Sequence, residues 1–277
     1  MRRILVPTDL SPLSTAALHV AVRIAKRMHA EVVVLKVVPV HGGAAFDDRG
    51  ELVQDNADDI TPFLEQRDAD SKALAAHCAD LDLPVTQLVR FGPLADTILR
   101  TVDQYAIDLL VMGTKGGSTL RDRLVGRLVE HLIGRADIPI LSVKDDLHDN
   151  PLRRVLFTNA FRRHPQYFDV LHDLHDRAGC TVDLLRVNTP NDRLQDEEVK
   201  ARMEAFARDN RLTRHAVHVV EAPSVEEGVY RWIADHDTDL LAIRTLGRSG
   251  FARLIKGCVS LDLVDKLTLP ILTIRVK

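Results

Sequence analysis

The sequence predicts an α/β chain in which two doubly wound, parallel five-stranded sheet domains follow one another in tandem. Three observations predict it. Residues 93–144 lie over residues 224–275 at a constant offset of 131, without a gap. Each half alternates short apolar runs with amphipathic stretches of helical length. Parallel strands need crossovers of a dozen or more residues, and helices fill these gaps.

The duplication is read from residue order. Asp108-Leu109-Leu110 falls on Asp239-Leu240-Leu241, Thr114 on Thr245, Gly116 on Gly247, Ser118 on Ser249 and Gly126 on Gly257. Pro139-Ile140-Leu141 falls on Pro270-Ile271-Leu272. The front ends also match, Arg3-Ile4-Leu5 with Arg154-Val155-Leu156 and Leu35-Lys36-Val37 with Leu185-Arg186-Val187. A shared order at near-constant spacing is the mark of an internal repeat. It divides the 277 residues into domains 1–146 and 151–277, joined by a linker at Asp145–Pro151. At ~100–200 residues per domain, two domains suit this length, and each half can bury a core.

The elements follow in order. Residues 3–8 form a short apolar run, as in a strand buried on both faces. Ser11-Pro12 opens a helix, with serine as the cap and proline tolerated in the first turn. Ala16, Ala17, Val20, Ile24 and Ala25 recur at the helical period and mark its buried face. The β-branched run 31–38 is the second strand, and Val40–Ile60, rich in glycine and acids, has loop composition. Helix is expected over 61–81, strand over 84–90, helix over 93–105, strand over 107–113, helix over 122–134 and a last strand over 138–143. In the second half, Asn188–Glu198 takes the place of the loop. The last strands, 138–143 and 271–276, are apolar edges, and such edges call for a partner.

Composition limits the function. Lys and Arg total 37 against 40 Asp and Glu, a net charge of -3, so there is no clustered basic footprint for nucleic acid. Three scattered cysteines, Cys78, Cys180 and Cys258, suit neither a disulfide framework nor zinc and fit a reducing compartment. The apolar run Ile4–Val6 is too short for a signal core, and no stretch approaches the ~18–20 apolar residues of a membrane helix. A cytoplasmic protein with no membrane partner is expected.

In doubly wound sheets, ligands sit beyond the carboxyl ends of the strands, near the switch in strand order. Pro7-Thr8-Asp9 and Gly113-Thr114-Lys115-Gly116-Gly117-Ser118 end two such strands, and Gly126 follows near a helix start. Glycines there let backbone N–H groups approach a phosphate, and a helix start adds its positive dipole end. The same pattern also suits a plain turn between strand and helix. Lys115 lies outside any G-x-x-x-x-G-K-[ST] motif, which disfavours a P-loop NTPase. No Ser-His-Asp set, H-E-x-x-H or metal-spaced histidine cluster is present, so no catalytic residues or metal ligands are assigned. His172 and His175 read as a polar surface face of a helix, and Trp232 with Val229 and Ile233 as a core-facing stripe. Cys258 reads as a lone thiol at a helix start, weak evidence for redox chemistry.

At these residues the chain resembles the universal stress protein family in its tandem two-domain form, over nearly all of both halves. The markers are Ile4-Leu5-Val6-Pro7-Thr8-Asp9 with Ser11 and Ser14, and Asp108-Leu109-Leu110-Val111-Met112-Gly113. The family's nucleotide signature, G-x2-G-x9-G-[S/T], reads here Gly113-x2-Gly116-x9-Gly126-Arg127. Arg127 stands in place of a small hydroxyl residue, keeping the N–H, adding a cation and adding bulk. The resemblance implies a Rossmann-like fold of the adenine nucleotide alpha hydrolase-like type. It implies ATP or another adenine nucleotide as ligand, with or without magnesium, Asp9 and the backbone around Val37 holding the nucleoside, and Leu128 following the phosphate turn. The candidate nucleotide-binding residues are thus Thr8, Asp9, Val37, Met112, Gly113, Gly116, Gly126, Arg127 and Leu128. It also implies pairing of strands 138–143 and 271–276 into an internal pseudo-dimer, and is compatible with a further homodimer.

The second half departs further, reading Arg244-x2-Gly247-x9-Gly257-Cys258, with Ala160 where Asp9 stands. The first half is expected to be the more competent site. The leading expectation is a nucleotide-binding sensor or adaptor. The competing ones are a nucleotide-free scaffold or binder of an apolar ligand, and, ranked last, a slow ATP hydrolase or phosphotransferase, since no general base is placed.

Overall fold

The computed structural model describes residues 1–39, 45–46, 52–53, 61–114, 128–129, 131–144, 152–162, 168–246 and 267–276. Gly116, Gly126, Arg127, Lys115, Cys258 and the linker lie outside the described residues, as do most of the expected loop Val40–Ile60 and of the expected helix 122–134.

In the first half, strand β1 is Arg3–Thr8, helix α1 Pro12–Met28 and strand β2 Glu31–Val38. Two short strands, β3 (Ala45–Phe46) and β4 (Leu52–Val53), pair antiparallel within the segment expected to be pure loop. Helix α2 (Thr61–Cys78), strand β5 (Val85–Phe91), helix α3 (Leu94–Gln104), strand β6 (Leu109–Gly113) and strand β7 (Ile140–Val143) follow. The second half has β8 (Arg154–Thr158), α4 (Asp169–Asp176), β9 (Thr181–Asn188), α5 (Asp196–Asp209), β10 (His215–Glu221), α6 (Val225–Asp235), β11 (Leu240–Leu246) and β12 (Ile271–Val276). Helix α5 begins inside the segment Asn188–Glu198 that composition assigned to loop; three acids in its first turn complement the helix dipole.

All ten long strands form one sheet, in the order β10-β9-β8-β11-β12-β7-β6-β1-β2-β5. Read outward from the centre, the two halves have the same strand order. Their registers repeat too: Ile4 faces Leu109 and Leu5 faces Leu110, while Val155 faces Leu240 and Leu156 faces Leu241. Within the ten-stranded sheet all pairs inside each half are parallel, and β7 meets β12 antiparallel, with Leu141 opposite Leu272. The edge expectation for these strands is met inside the chain.

The duplicated aspartates have a structural task. Asp108 accepts hydrogen bonds from the backbone N–H groups of Arg2 and Arg3, the latter at 3.0 Å. Asp239 does the same for Arg153 and Arg154, at 2.7 and 2.9 Å. In each half the carboxylate satisfies donors at the start of the first strand, which otherwise lack ladder partners.

Helices cover both faces of the sheet. On one face α1, α2, α4 and α5 contribute to a single apolar cluster that runs across both halves, from Val34 and Leu18 to Phe157 and Met203. On the other face each half has its own cluster, under α3 in one and α6 in the other. The predicted face of α1 is buried throughout: Ala16, Ala17, Val20, Ile24 and Ala25 are at most 4% exposed. Ser11 caps α1 by accepting from the Ser14 N–H at 3.3 Å, a device worth about 1 kcal/mol.

The halves are also tied by polar contacts. Arg177 donates to the carbonyl oxygens of Met1, at 2.7 Å, and Met28. Arg275 donates to the Ala136 carbonyl at 3.1 Å and pairs with Asp137 at 3.0 Å. A void of about 10 Å³ lies at this joint, lined by Ile24, Leu109, Leu141, Leu240 and Leu272 among others. It is too small to take an apolar ligand.

His175 corrects the expectation of a polar surface face on α4, for it is 2% exposed. The Thr213 N–H donates to its Nε2 at 2.9 Å, so that nitrogen is the acceptor, and Nδ1–H donates to the Cys180 carbonyl at 2.9 Å. Burial is the main force holding its pKa below the ordinary 6.5, with the Arg214 charge adding to it against the Cys180 bond. The unfolded chain therefore binds this proton at a higher pH than the folded one. The His175 contribution is complete above about pH 6.5 and declines as pH falls through 6.5 toward the lowered folded value. Thermal midpoints measured from pH 7.5 to 5 should fall with acid, and less steeply in His175→Gln. Equal slopes would place the acid sensitivity elsewhere.

Candidate functional site

The carboxyl ends of β1, β2 and β6 lie side by side in the first half, at the point where the strand order switches. Such a point is where doubly wound sheets leave a crevice. Strand β6 divides its side chains between two faces. Leu109 and Val111 join the cluster under α1, and Leu110 and Met112 join the cluster under α3. Val37 and Leu128 pack on that second cluster as well, so three candidate residues, Val37, Met112 and Leu128, share one apolar wall.

Thr8 is elsewhere. It is 6% exposed, and its Oγ1 lies 3.0 Å from Ser14 Oγ and accepts from the Leu10 N–H at 3.0 Å. Its hydroxyl is engaged in shaping the β1–α1 turn. Asp9 is exposed, and its Oδ1 accepts from the Ser11 N–H at 3.0 Å. Asp9 also reaches α2 electrically. The His77 pKa is lowered, first by burial and then by the charge of His19, and the Asp9 carboxylate opposes both.

Gly113 has a packing reason of its own. A Cβ there would stand 2.6 Å from the Leu13 carbonyl oxygen and 2.8 Å from its carbonyl carbon. The tip of β6 thus lies against the first turn of α1, closer than any side chain permits. The sequence assigned this glycine to phosphate approach; the described structure adds helix approach to that assignment. Gly116, Gly126 and Arg127, the remaining candidates, lie outside the described residues.

In the second half a buried arginine ties the strand tips together on the α5 face of the sheet. Arg186, at the position of Lys36, is 2% exposed at the end of β9. It donates to the Ala160 carbonyl at 2.9 Å, the Asp192 carbonyl at 2.8 Å, Asp192 Oδ1 at 2.7 Å and Asn188 Oδ1 at 3.2 Å. Ala160 is the residue that takes the place of Asp9. Burial works against the Asp192 charge, but hydrogen bonds and charges from Arg186 and Arg162 outweigh it and hold the carboxyl below its ordinary value. Asn188 extends the network to the Leu194 carbonyl at 3.1 Å, tying the β9–α5 turn down over the strand tips. Beside it Phe157 stacks on Phe206 at 5.1 Å, with Phe161 edge-on to Phe206 at 5.5 Å. The first half has Lys36 instead, half-buried and 3.9 Å from Asp70 of α2.

Sequence reasoning used Arg186 only as a repeat marker. The signal was present, since a charge inside the apolar run Thr181–Asn188 is rarely buried without partners. Among the described residues, no group of three or more His, Cys, Asp or Glu side chains could hold a metal, and no helix is long and apolar enough to cross a membrane.

The comparisons with known proteins agree with this architecture. The sequence model of the universal stress protein family matches residues 1–144. A universal stress protein of Methanocaldococcus jannaschii is 29% identical over 150 residues, 52% of this chain and 82% of that protein. The crystal structure of a universal stress protein from Archaeoglobus fulgidus superposes with a TM-score of 0.70 at 15% identity, covering 99% of this chain and 96% of that one. One from Pseudomonas aeruginosa UCBPP-PA14, described as a putative universal stress protein, gives a TM-score of 0.59 at 15% identity, over 99% and 93% of the two chains. The chain belongs to the universal stress protein family.

Proposed function

We propose that this chain is a cytoplasmic stress-response protein that binds one adenine nucleotide in its first half, residues 1–146, and uses its second, residues 151–277, as a partner without nucleotide. The observation that carries the proposal is the asymmetry at the tips of the two first strands: Asp9 is exposed in the first half, whereas in the second Ala160 takes its place and its carbonyl is held by the buried Arg186 guanidinium. Beside Asp9, Val37, Met112 and Leu128 pack on one apolar cluster. An apolar wall suits a nucleobase, and Asp9 at the rim suits its polar edge or the ribose. The Gly113-x2-Gly116-x9-Gly126 spacing supports a phosphate beside it. ATP or another adenine nucleotide, with or without magnesium, is the proposed ligand.

The proposed role is that of a sensor or adaptor without catalytic chemistry of its own. Bound ligand shifts a surface equilibrium only by its differential affinity for the two states. Homodimerisation through another surface is compatible with this role; neither nucleic acid nor membrane is a proposed partner. A second reading, a nucleotide-free scaffold, is favoured by Arg127 where the family signature has a hydroxyl.

Isothermal titration of the full chain with ATP separates the readings. One site per chain is expected, lost in Gly116→Val. No heat for the wild-type protein would leave the scaffold, and two sites would show that the second half binds without an equivalent of Asp9.

A further inference from the structure

We propose that α2 is a lid, which lifts from the first half as a unit and bares the faces of β2 and β5 beneath it while the rest of the sheet stays folded. Its counterpart in the second half is α5, which crosses from β9 to β10 as α2 crosses from β2 to β5 on the same face of the sheet. The two helices are held very differently. Helix α5 has 14 residues and buries Val199, Met203, Phe206 and Ala207, all apolar. Its start is pinned as well, because Asn188 of β9 donates to Asp196 Oδ1 at 3.3 Å. Helix α2 has 18 residues and buries Leu74 and Cys78 alone, one turn apart.

The rest of the inner face of α2 is made of weak or costly contacts. Asp70, one turn before Leu74, lies 3.9 Å from Lys36 of β2, too far for a hydrogen bond. Both side chains are mostly buried, so lost hydration offsets much of the attraction between them. His77 Nε2 is buried with no hydrogen-bond partner among the described residues, a desolvation cost that water removes when the helix lifts. Phe63 touches Phe91 of β5 edge-on, with ring centres 6.1 Å apart. A groove of about 390 Å³ lies where the last turn of α2 meets the start of β5, lined by Cys78, Leu83, Val85 and Gln87 among others. Segments with few buried apolar contacts open at a lower free energy than the whole molecule unfolds. Opening here uncovers Val32 and Val34 of β2 with Val85 and Val89 of β5, a strip of the cluster that Leu74 and Cys78 otherwise cover.

The test is amide hydrogen exchange of the full-length protein, followed by mass spectrometry. Amides around Asp70, at mid-helix, should exchange about 100-fold or more faster than those of α5 and respond little to dilute urea, whereas α5 follows global unfolding. Cys78 is a second probe, since burial pushes its thiol pKa up and keeps it inert while the lid is down. Alkylation mapped to single cysteines should reach Cys78 well before Cys180, which is 0% exposed. Leu74→Ala should speed both α2 readouts about tenfold or more and leave α5 within about twofold. Lys36→Met/Asp70→Leu, which puts apolar contact in place of the ion pair, should slow them. Exchange of α2 with the rate and urea dependence of α5 overturns the lid. So does exchange that spreads inward from the helix ends while the amides around Asp70 stay protected, which is fraying. Equal acceleration of α2 and α5 in Leu74→Ala also overturns it; if that variant does not fold, the wild-type comparison decides.

Discussion

Replacing Arg186 with methionine is expected to cost about 3 kcal/mol of stability, within the range for breaking one side of a buried ion pair. For a chain of this length that lowers the thermal midpoint by roughly 6–12 °C. The reason lies in what is left behind. The guanidinium serves two carbonyl oxygens and two side-chain oxygens at once, from a position 2% exposed. Methionine fills much of the volume but leaves the Ala160 carbonyl without its arginine donor and Asp192 Oδ1 with Arg162 alone. Asp192 is partly exposed and keeps Arg162, which is why the figure sits at the lower end of the range. Lysine is expected to recover only part of the loss, since one ammonium cannot reproduce a planar fork of donors. Chemical denaturation of Arg186→Met and Arg186→Lys measures both. A change below about 1 kcal/mol for methionine would mean that the network contributes little.

Substituting alanine for Gly113 is expected to cost about 2–3 kcal/mol in the absence of any ligand, the range for forcing extra atoms into a filled space. The added carbon meets backbone, the carbonyl of Leu13 at 2.6 Å, and also the Leu13 side chain at 2.8 Å. A flexible side chain can yield, but a carbonyl fixed in the first turn of a 17-residue helix cannot move alone. The helix start must shift, carrying Ser11, Ser14 and the Thr8 contact with it. Denaturant midpoints of ligand-free Gly113→Ala check this. An unchanged midpoint would mean that the approach of α1 to β6 is looser than described and that this glycine serves the ligand only. The second half has Arg244 at this position, so an approach as close as that of Leu13 to Gly113 is unavailable there.

Much of the fold was legible in the residues. The apolar runs at 3–8 and 31–38 coincide with β1 and β2, and the Ser11-Pro12 signal coincides with the cap of α1. Helix 61–81 ends earlier, at Cys78, and strand 107–113 begins later, at Leu109, because end residues give up regular pairing to turns that periodicity does not register. The strands at 45–46 and 52–53 were invisible, since pairs that short have no alternation to detect. The site was legible in part. Motif spacing pointed to Gly113 and the family resemblance to Met112, Val37 and Leu128, but neither said anything of faces. Only pairing and packing separate Thr8, turned into the β1–α1 junction, from Thr114, left without a partner.

The residue order alone determined the duplication, the parallel sheet and the strand tips where a ligand would sit, because periodicity and repeat spacing are properties of the chain itself. The tertiary structure alone decided the register of the joint, with Leu141 opposite Leu272, and that Arg186 is buried at the strand tips of the second half with its bonds made to Ala160, Asn188 and Asp192. Those outcomes depend on which distant atoms satisfy a buried polar group, and no local pattern encodes that.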